Sequence, residues 1–200
     1  MPDTDHEGVT VSQLLVVEYT QVKDEQKARI GFRDNLLYAT LAAMAAVIAA
    51  ALQGPVRVGL LLLLPPVCLV LGWTYLVNDQ KISAIGRYVS TELTPRLAAV
   101  TPLGPQAPGG AVFRGTVFGW EVAHRSDRRR RSRKWFQLFV DLLTFCGASL
   151  AALTVFWATG RTSATLLTVS LVECAAVVAL ATQIAVYADL SIGAQRHRSE

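Results

Sequence analysis

The sequence is short of the residues that carry most enzyme chemistry. Histidine occurs three times, at His6, His124 and His197, scattered through polar segments. Cysteine also occurs three times, at Cys68, Cys146 and Cys174, each inside an apolar run, with no CxxC pair and no histidine beside it. That pattern gives no support to a disulfide framework or a zinc site, and it assigns the cysteines to apolar packing. An HExxH pair, a GxSxG elbow, a Walker A loop and a GxGxxG that opens a helix after a strand are all missing. No cofactor or metal is implied, and the chain is expected not to be an enzyme. A secretory signal is not expected either, because Met1 to Gly8 is acidic and polar, with neither a basic start nor a short apolar run.

Charge is the other scarcity, and it is local. Four long stretches are nearly free of it, and 52% of the 200 residues are apolar, more than a soluble domain usually carries. A spanning helix needs about 20 mostly apolar residues. Segments of that kind run from about Asn35 to Leu52, Val58 to Val77, Trp135 to Thr159 and Ala164 to Tyr187. The connectors Gln53 to Arg57 and Gly160 to Ser163 are short, so the spans pair as two tight hairpins. The expected fold is an all-α membrane protein with four transmembrane helices in two hairpins and cytosolic helical extensions. Its expected divisions are 1–34 (a cytosolic amphipathic helix leading into span one), 35–77 (the first hairpin), 78–134 (a cytosolic helix, a Pro/Gly linker and a polybasic segment), 135–187 (the second hairpin) and 188–200 (a cytosolic tail).

Orientation follows from lysine and arginine. Seventeen of the 19 lie before span one, between spans two and three, or after span four; the short turns hold only Arg57 and Arg161. The basic side is cytoplasmic. The expected location is therefore a bacterial plasma membrane, crossed several times, with both termini inside. Trp135 and Trp157, with Tyr38, Trp73, Tyr75 and Tyr187, fall toward span ends, where amphipathic rings favour the headgroup level.

Outside the spans, Val11, Leu15, Tyr19 and Val22 recur at helical spacing, predicting a helix from Val9 that continues into span one. Ile82, Ile85, Val89 and Leu93 make a second stripe, which Thr94-Pro95 is expected to end. The two stripes are suited to pair as an antiparallel extension of the first hairpin; self-association through a short coiled coil is the sharper alternative. Thr101 to Gly115 is rich in proline and glycine and is expected to be a linker. The apolar patch Phe113, Val117, Phe118 and Trp120 follows it, suited to the membrane surface or to the cytosolic helices. Next comes a basic run that includes Arg128, Arg129, Arg130, Arg131, Arg133 and Lys134. Because it abuts span three, it is expected to fix topology and to hold anionic lipid headgroups. No nucleic-acid motif or aromatic platform accompanies it, so no nucleic acid is implied.

Two ionisable groups lie inside the spans and are the candidate functional residues, since charge in hydrocarbon is expensive. Asp141 stands about 9 Å to the cytoplasmic side of the middle of span three, and Glu173 about 4 Å beyond the middle of span four. A height difference of about 13 Å argues against their pairing. Desolvation favours the neutral form of either. A structural role would satisfy them through Ser149, Thr168, Ser170, Thr182 or Gln183, or through the basic cluster in the case of Asp141; a functional role would make them steps on a proton or cation path. Ala42, Ala46 and Ala50, with Ala39 and Ala43 beside them, and Gly147 with Ala151 permit close helix approach. Pro65-Pro66 predicts a kink in span two.

The stretch from Glu18-Tyr19 through Lys27-Ala28-Arg29-Ile30-Gly31-Phe32-Arg33-Asp34-Asn35, followed by the apolar hairpin and then Asn78-Asp79-Gln80-Lys81-Ile82-Ser83-Ala84-Ile85-Gly86-Arg87-Tyr88, resembles a group of uncharacterised integral membrane proteins of actinobacteria. The likeness covers mainly the first half and supplies no catalytic residues. The plan of cytosolic helix, two-span hairpin and cytosolic helix is also similar in architecture to small two-span membrane effectors of bacterial conflict systems, which implies membrane perturbation on a trigger. Two functions are therefore expected: association, as a membrane anchor, scaffold or signalling accessory with a homo-oligomeric or cytosolic protein partner, or an oligomeric, ion-conducting effector that uses the intramembrane acids.

Overall fold

The computed structural model describes residues 9–53, 55–100, 130–159 and 163–193. Of these, 96% are helical, and there is no strand among the described residues. In chain order come α1 (Val11–Ala51), a 3₁₀ stretch (Pro55–Leu63), α2 (Leu64–Tyr88), a π-helical stretch (Val89–Leu93), α3 (Thr94–Val100), α4 (Arg130–Asp141), a second π-helical stretch (Leu142–Gly147), α5 (Ala148–Ala158) and α6 (Ala164–Gly193). Four of the helical runs are long and apolar enough to cross a membrane: Val11–Ala51, Gly59–Val100, Trp135–Ala158 and Ala164–Ala188. The chain is an all-α, multi-pass membrane protein. The expected linker, the apolar patch at Phe113 to Trp120, Arg128, Arg129 and the residues after Gly193 lie outside the described residues.

The chain divides into two units, Met1–Gly31 with Asp79–Arg128, and Phe32–Asn78 with Arg129–Glu200. The division falls inside α1 and inside α2, where charged, water-compatible sequence gives way to apolar sequence.

In the first, charged unit, α1 starts at a capping box. The Gln13 side chain accepts from the Thr10 N–H (2.9 Å), and the Thr10 hydroxyl accepts from the Gln13 N–H (3.4 Å). Two donors that a helix start leaves unpaired are thereby satisfied. The two stripes seen in the sequence do meet: Val89, Leu93 and Leu97 are buried, with Leu15, Tyr19, Val22, Ile85 and Tyr88 packed against them. Polar contacts fix the antiparallel register. The Tyr88 hydroxyl donates to Glu18 Oε1, and Gln26 Nε2 donates to the Ile82 carbonyl (3.4 Å). Within α1, Arg29 Nε donates to Glu25 Oε1 (2.9 Å) at the favourable i, i+4 spacing.

The helix does not end at Thr94-Pro95 as expected; α3 carries it to Val100 and buries Leu97. In a regular α-helix the Pro95 ring would press on the carbonyl four residues back. Here the wider π turn at Val89–Leu93 precedes it, and the N–H and hydroxyl of Thr94 both donate to the Val89 carbonyl, the hydroxyl at 2.7 Å.

The second, apolar unit holds the spans. One layer joins Leu36, Tyr75, Leu76, Phe145, Cys146, Val177, Leu180 and Ile184. A second joins Leu64, Cys68 and Ala152 to Met44 and Val47, and a third joins Leu62, Leu153 and Phe156 to Cys174. Every span contributes, and the three cysteines are free thiols, with Cys68 and Cys146 buried. Pro65-Pro66 marks a change of winding from 3₁₀ to α. The two prolines withhold the N–H donors that α-turns on the Leu61 and Leu62 carbonyls require, which leaves the tighter winding upstream. Of the small-residue row, Ala39, Ala42 and Ala46 are exposed, whereas Ala43 and Ala50 are partly buried.

Candidate functional site

The polar residues of the apolar unit fall into two places. The first gathers around Tyr75, which sequence position assigned to the headgroup level but which is buried. Its ring lies 5.2 Å from that of Phe145, tilted by 46°. Gln137 Nε2 donates to its hydroxyl at 3.4 Å, and Asp141 and Arg33 lie within electrostatic range of that hydroxyl, Asp141 within hydrogen-bonding reach. Arg33 Nε also stands 3.5 Å from Asp34 Oδ1. Gln137 and Asp141 share a face of α4 because they are four residues apart, and Tyr75 and the buried Asn78 share a face of α2 at a spacing of three. Asp141 thus shares the Tyr75 hydroxyl with the Gln137 amide, and the Arg33 guanidinium lies within electrostatic range of the same hydroxyl. Directly after it the helix widens into the π-helical stretch Leu142–Gly147, a distortion that often accompanies functional sites.

The second place is Glu173. α6 turns an inward row of Ser170, Val177, Leu180 and Ile184 toward the bundle, all buried, and Glu173 falls on that row at the helical spacing of three and four. Its residue is half-buried, but its Oε2 is out of solvent and has no hydrogen-bond partner among the described residues. The partners expected for it are engaged elsewhere. Ser170 Oγ donates to the Leu167 carbonyl (2.8 Å) and accepts from Trp157 Nε1 (2.8 Å). Ser149, Thr168 and Thr182 donate to the carbonyls of Phe145, Ala164 and Val178 in their own helices. Gln183 faces outward. The structural role expected for Glu173, a carboxyl satisfied by these groups, is therefore not the arrangement found.

Asp141 and Glu173 are in different surroundings: one is networked, the other isolated. Arg130, Arg131, Arg133 and Lys134 fall in the first turns of α4, which runs from the basic segment into span three. Among the described residues no group of three or more histidine, cysteine or acidic side chains is placed to hold a metal ion. Reading the sequence missed Tyr75 as the hydroxyl on which Asp141, Gln137 and Arg33 converge; the signal available was the four-residue spacing of Gln137 and Asp141 on one helix face.

Fold and site together define an all-α membrane protein with four helices long and apolar enough to cross a membrane. No family model, no curated protein and no solved structure matches the chain.

Proposed function

We propose that the chain is a non-enzymatic protein of the bacterial plasma membrane that works by association, as an anchor, scaffold or signalling accessory. In this reading both termini and the charged unit are cytoplasmic. The basic run from Arg128 to Lys134 holds anionic headgroups, and the charged unit meets its partner helix in water. One observation carries the reading. The charged unit closes one face of α1 on Val89, Leu93 and Leu97, yet leaves Val11, Leu14 and Val17 exposed at 64%, 58% and 57%. Apolar surface of this kind on a water-facing helix marks an interaction site.

The test is a photo-cross-linking amino acid placed at Leu14 or Val17 in native membranes, with Asp24 as the control position. Protein adducts at Leu14 and Val17 but not at Asp24 are expected, and their mass separates a second copy from another cytosolic protein. Absence of adducts at both apolar positions would sink the reading.

The orphaned Glu173 oxygen supports a second reading, an oligomeric ion-conducting effector. Liposomes carrying the purified protein distinguish the two. Ion or proton flux that is lost in Glu173→Gln or Asp141→Asn favours the conductor, and flux absent throughout favours association.

A further inference from the structure

We propose that Glu173 is an intramembrane proton-binding site, a carboxyl whose ligand is a proton rather than a metal ion or a protein cation. The inference depends on neither reading of the function. It begins with an oxygen that cannot be accounted for as an ion. Oε2 is out of solvent and unpartnered among the described residues, although the residue as a whole is only half-buried, and taking a carboxylate oxygen out of water without a hydrogen bond is costly.

No countercharge is at hand along the spans. Residues 36–52, 59–77, 142–158 and 164–188 contain no lysine, arginine or histidine. Within residues 64–78, 141–158 and 164–188 the titratable groups besides Glu173 are Cys68, Tyr75, Asp141, Cys146, Cys174 and Tyr187; the cations of α4 (Arg130, Arg131, Arg133 and Lys134) lie about two turns or more before Asp141, and those of α2 (Lys81 and Arg87) follow Asn78. The groups inside the spans are all acids, so none of them can neutralise a carboxylate. A hard metal cation would need about six oxygen ligands, and among the described residues no group of three or more histidine, cysteine or acidic side chains is placed to hold one. A proton needs one oxygen and supplies the neutrality that the site lacks.

The layer next to Glu173 explains how the proton is kept. Cys174 packs on Leu62, Leu153 and Phe156, and the Trp157–Ser170 hydrogen bond ties α5 to α6 one turn away. Water is excluded from Oε2 while these contacts hold. Proton release then requires them to loosen, so occupancy of Glu173 and packing of the second hairpin are linked.

An apolar carbodiimide reads proton occupancy directly. A protonated carboxyl adds to its central carbon through oxygen while the acid proton passes to a reagent nitrogen. The acyl group then shifts from oxygen to nitrogen, leaving a stable N-acylurea that keeps every atom of both partners. Proteoliposomes of the whole chain are treated with dicyclohexylcarbodiimide, and the adduct is located by peptide mass spectrometry, which also separates Glu173 from Cys174. Labelling at Glu173 is expected in the wild type and in Asp141→Asn, and it should be absent in Glu173→Gln. Its rate should fall at least about tenfold between about pH 6 and about pH 10, a range that covers the titration of known buried glutamates. Helical circular dichroism and elution as a single species confirm that each variant is folded. A folded wild type left unlabelled at every pH, or labelled at a rate indifferent to pH, would overturn the assignment. Protection by sodium at fixed pH would also overturn it, by making the ligand a metal cation.

Discussion

At Gly72 side chains from two other helical elements of the apolar unit press on α2. A Cβ added there would lie 3.0 Å from Leu180 Cδ2 and 3.0 Å from the Phe145 ring, and that ring is itself packed on Tyr75. Gly72→Ala is expected to cost about 1–3 kcal/mol through overpacking, and Gly72→Val more. Thermal unfolding in detergent checks this, and a Tm unchanged in Gly72→Val would show that the contact is loose. Another single-residue device lies in the charged unit. The Tyr88 phenol is pushed up from its ordinary value, first by its hydrogen bond to Glu18 and then by burial. A raised folded value stabilises the fold fully below the ordinary phenol pKa of about 10, and the contribution is lost as pH rises through the folded value. Alkaline titration followed by phenolate absorbance and circular dichroism should show unfolding linked to this ionisation in the wild type. In Tyr88→Phe that linked component should be missing. None of this was visible in the sequence, because glycine contacts and a tyrosine–carboxylate bond across 70 residues depend on which faces meet.

Regular periodicity carries the helices themselves. Leu15, Tyr19 and Val22 announce the inner face of α1, while Val11, on the same stripe, stays exposed; Ile85, Val89 and Leu93 announce the surface that meets it. What periodicity does not carry is a change of winding. The 3₁₀ stretch before Pro65-Pro66 and the π turns at Val89–Leu93 and Leu142–Gly147 shift the register by a fraction of a turn, too little to disturb an apolar pattern. Pro95 therefore looked like a stop, whereas the π turn before it lets the helix pass. Proline position alone does not say whether the backbone upstream has already adapted. Gly31 tests the element from the other side. It lies inside α1 at the edge of the charged unit, and an added Cβ would meet nothing within 4 Å. With no steric penalty, Gly31→Ala should stabilise α1 by about 1 kcal/mol, the ordinary helix-propensity difference. Slower amide hydrogen exchange from Arg29 to Arg33 and a higher Tm are the expected readings; faster exchange would mean that the glycine is needed for its backbone freedom.

For the whole molecule, composition alone carried the architecture: four uncharged stretches separated by charged ones can only be an all-α membrane protein when each is long enough to span. The partners of the two carboxyls were not legible, because hydrogen bonding inside a bundle depends on helix rotation as well as depth. Orientation rests on a different kind of argument, the distribution of positive charge. Seventeen lysines and arginines lie outside the two short turns, and those turns hold one arginine each. Moving the basic segment before span three across a bilayer would carry six cations within seven residues, Arg128 to Lys134, through hydrocarbon. Keeping it on the cytoplasmic face leaves the same charges beside anionic headgroups, where each contributes about 1 kcal/mol of attraction. The crossing is thus disfavoured, and on the proposed topology the four cations before span one bias the first hairpin to the same side. A reporter active only outside the cytoplasm should be on when fused after Arg57 or Arg161 and off when fused at Glu200. If the basic segment anchors this orientation, replacing Arg128 to Arg131, Arg133 and Lys134 by glutamine should give the second hairpin a mixed topology while the first keeps its own. A fusion after Arg161 that stays fully on in that variant would show that the charges before span one alone direct all four spans.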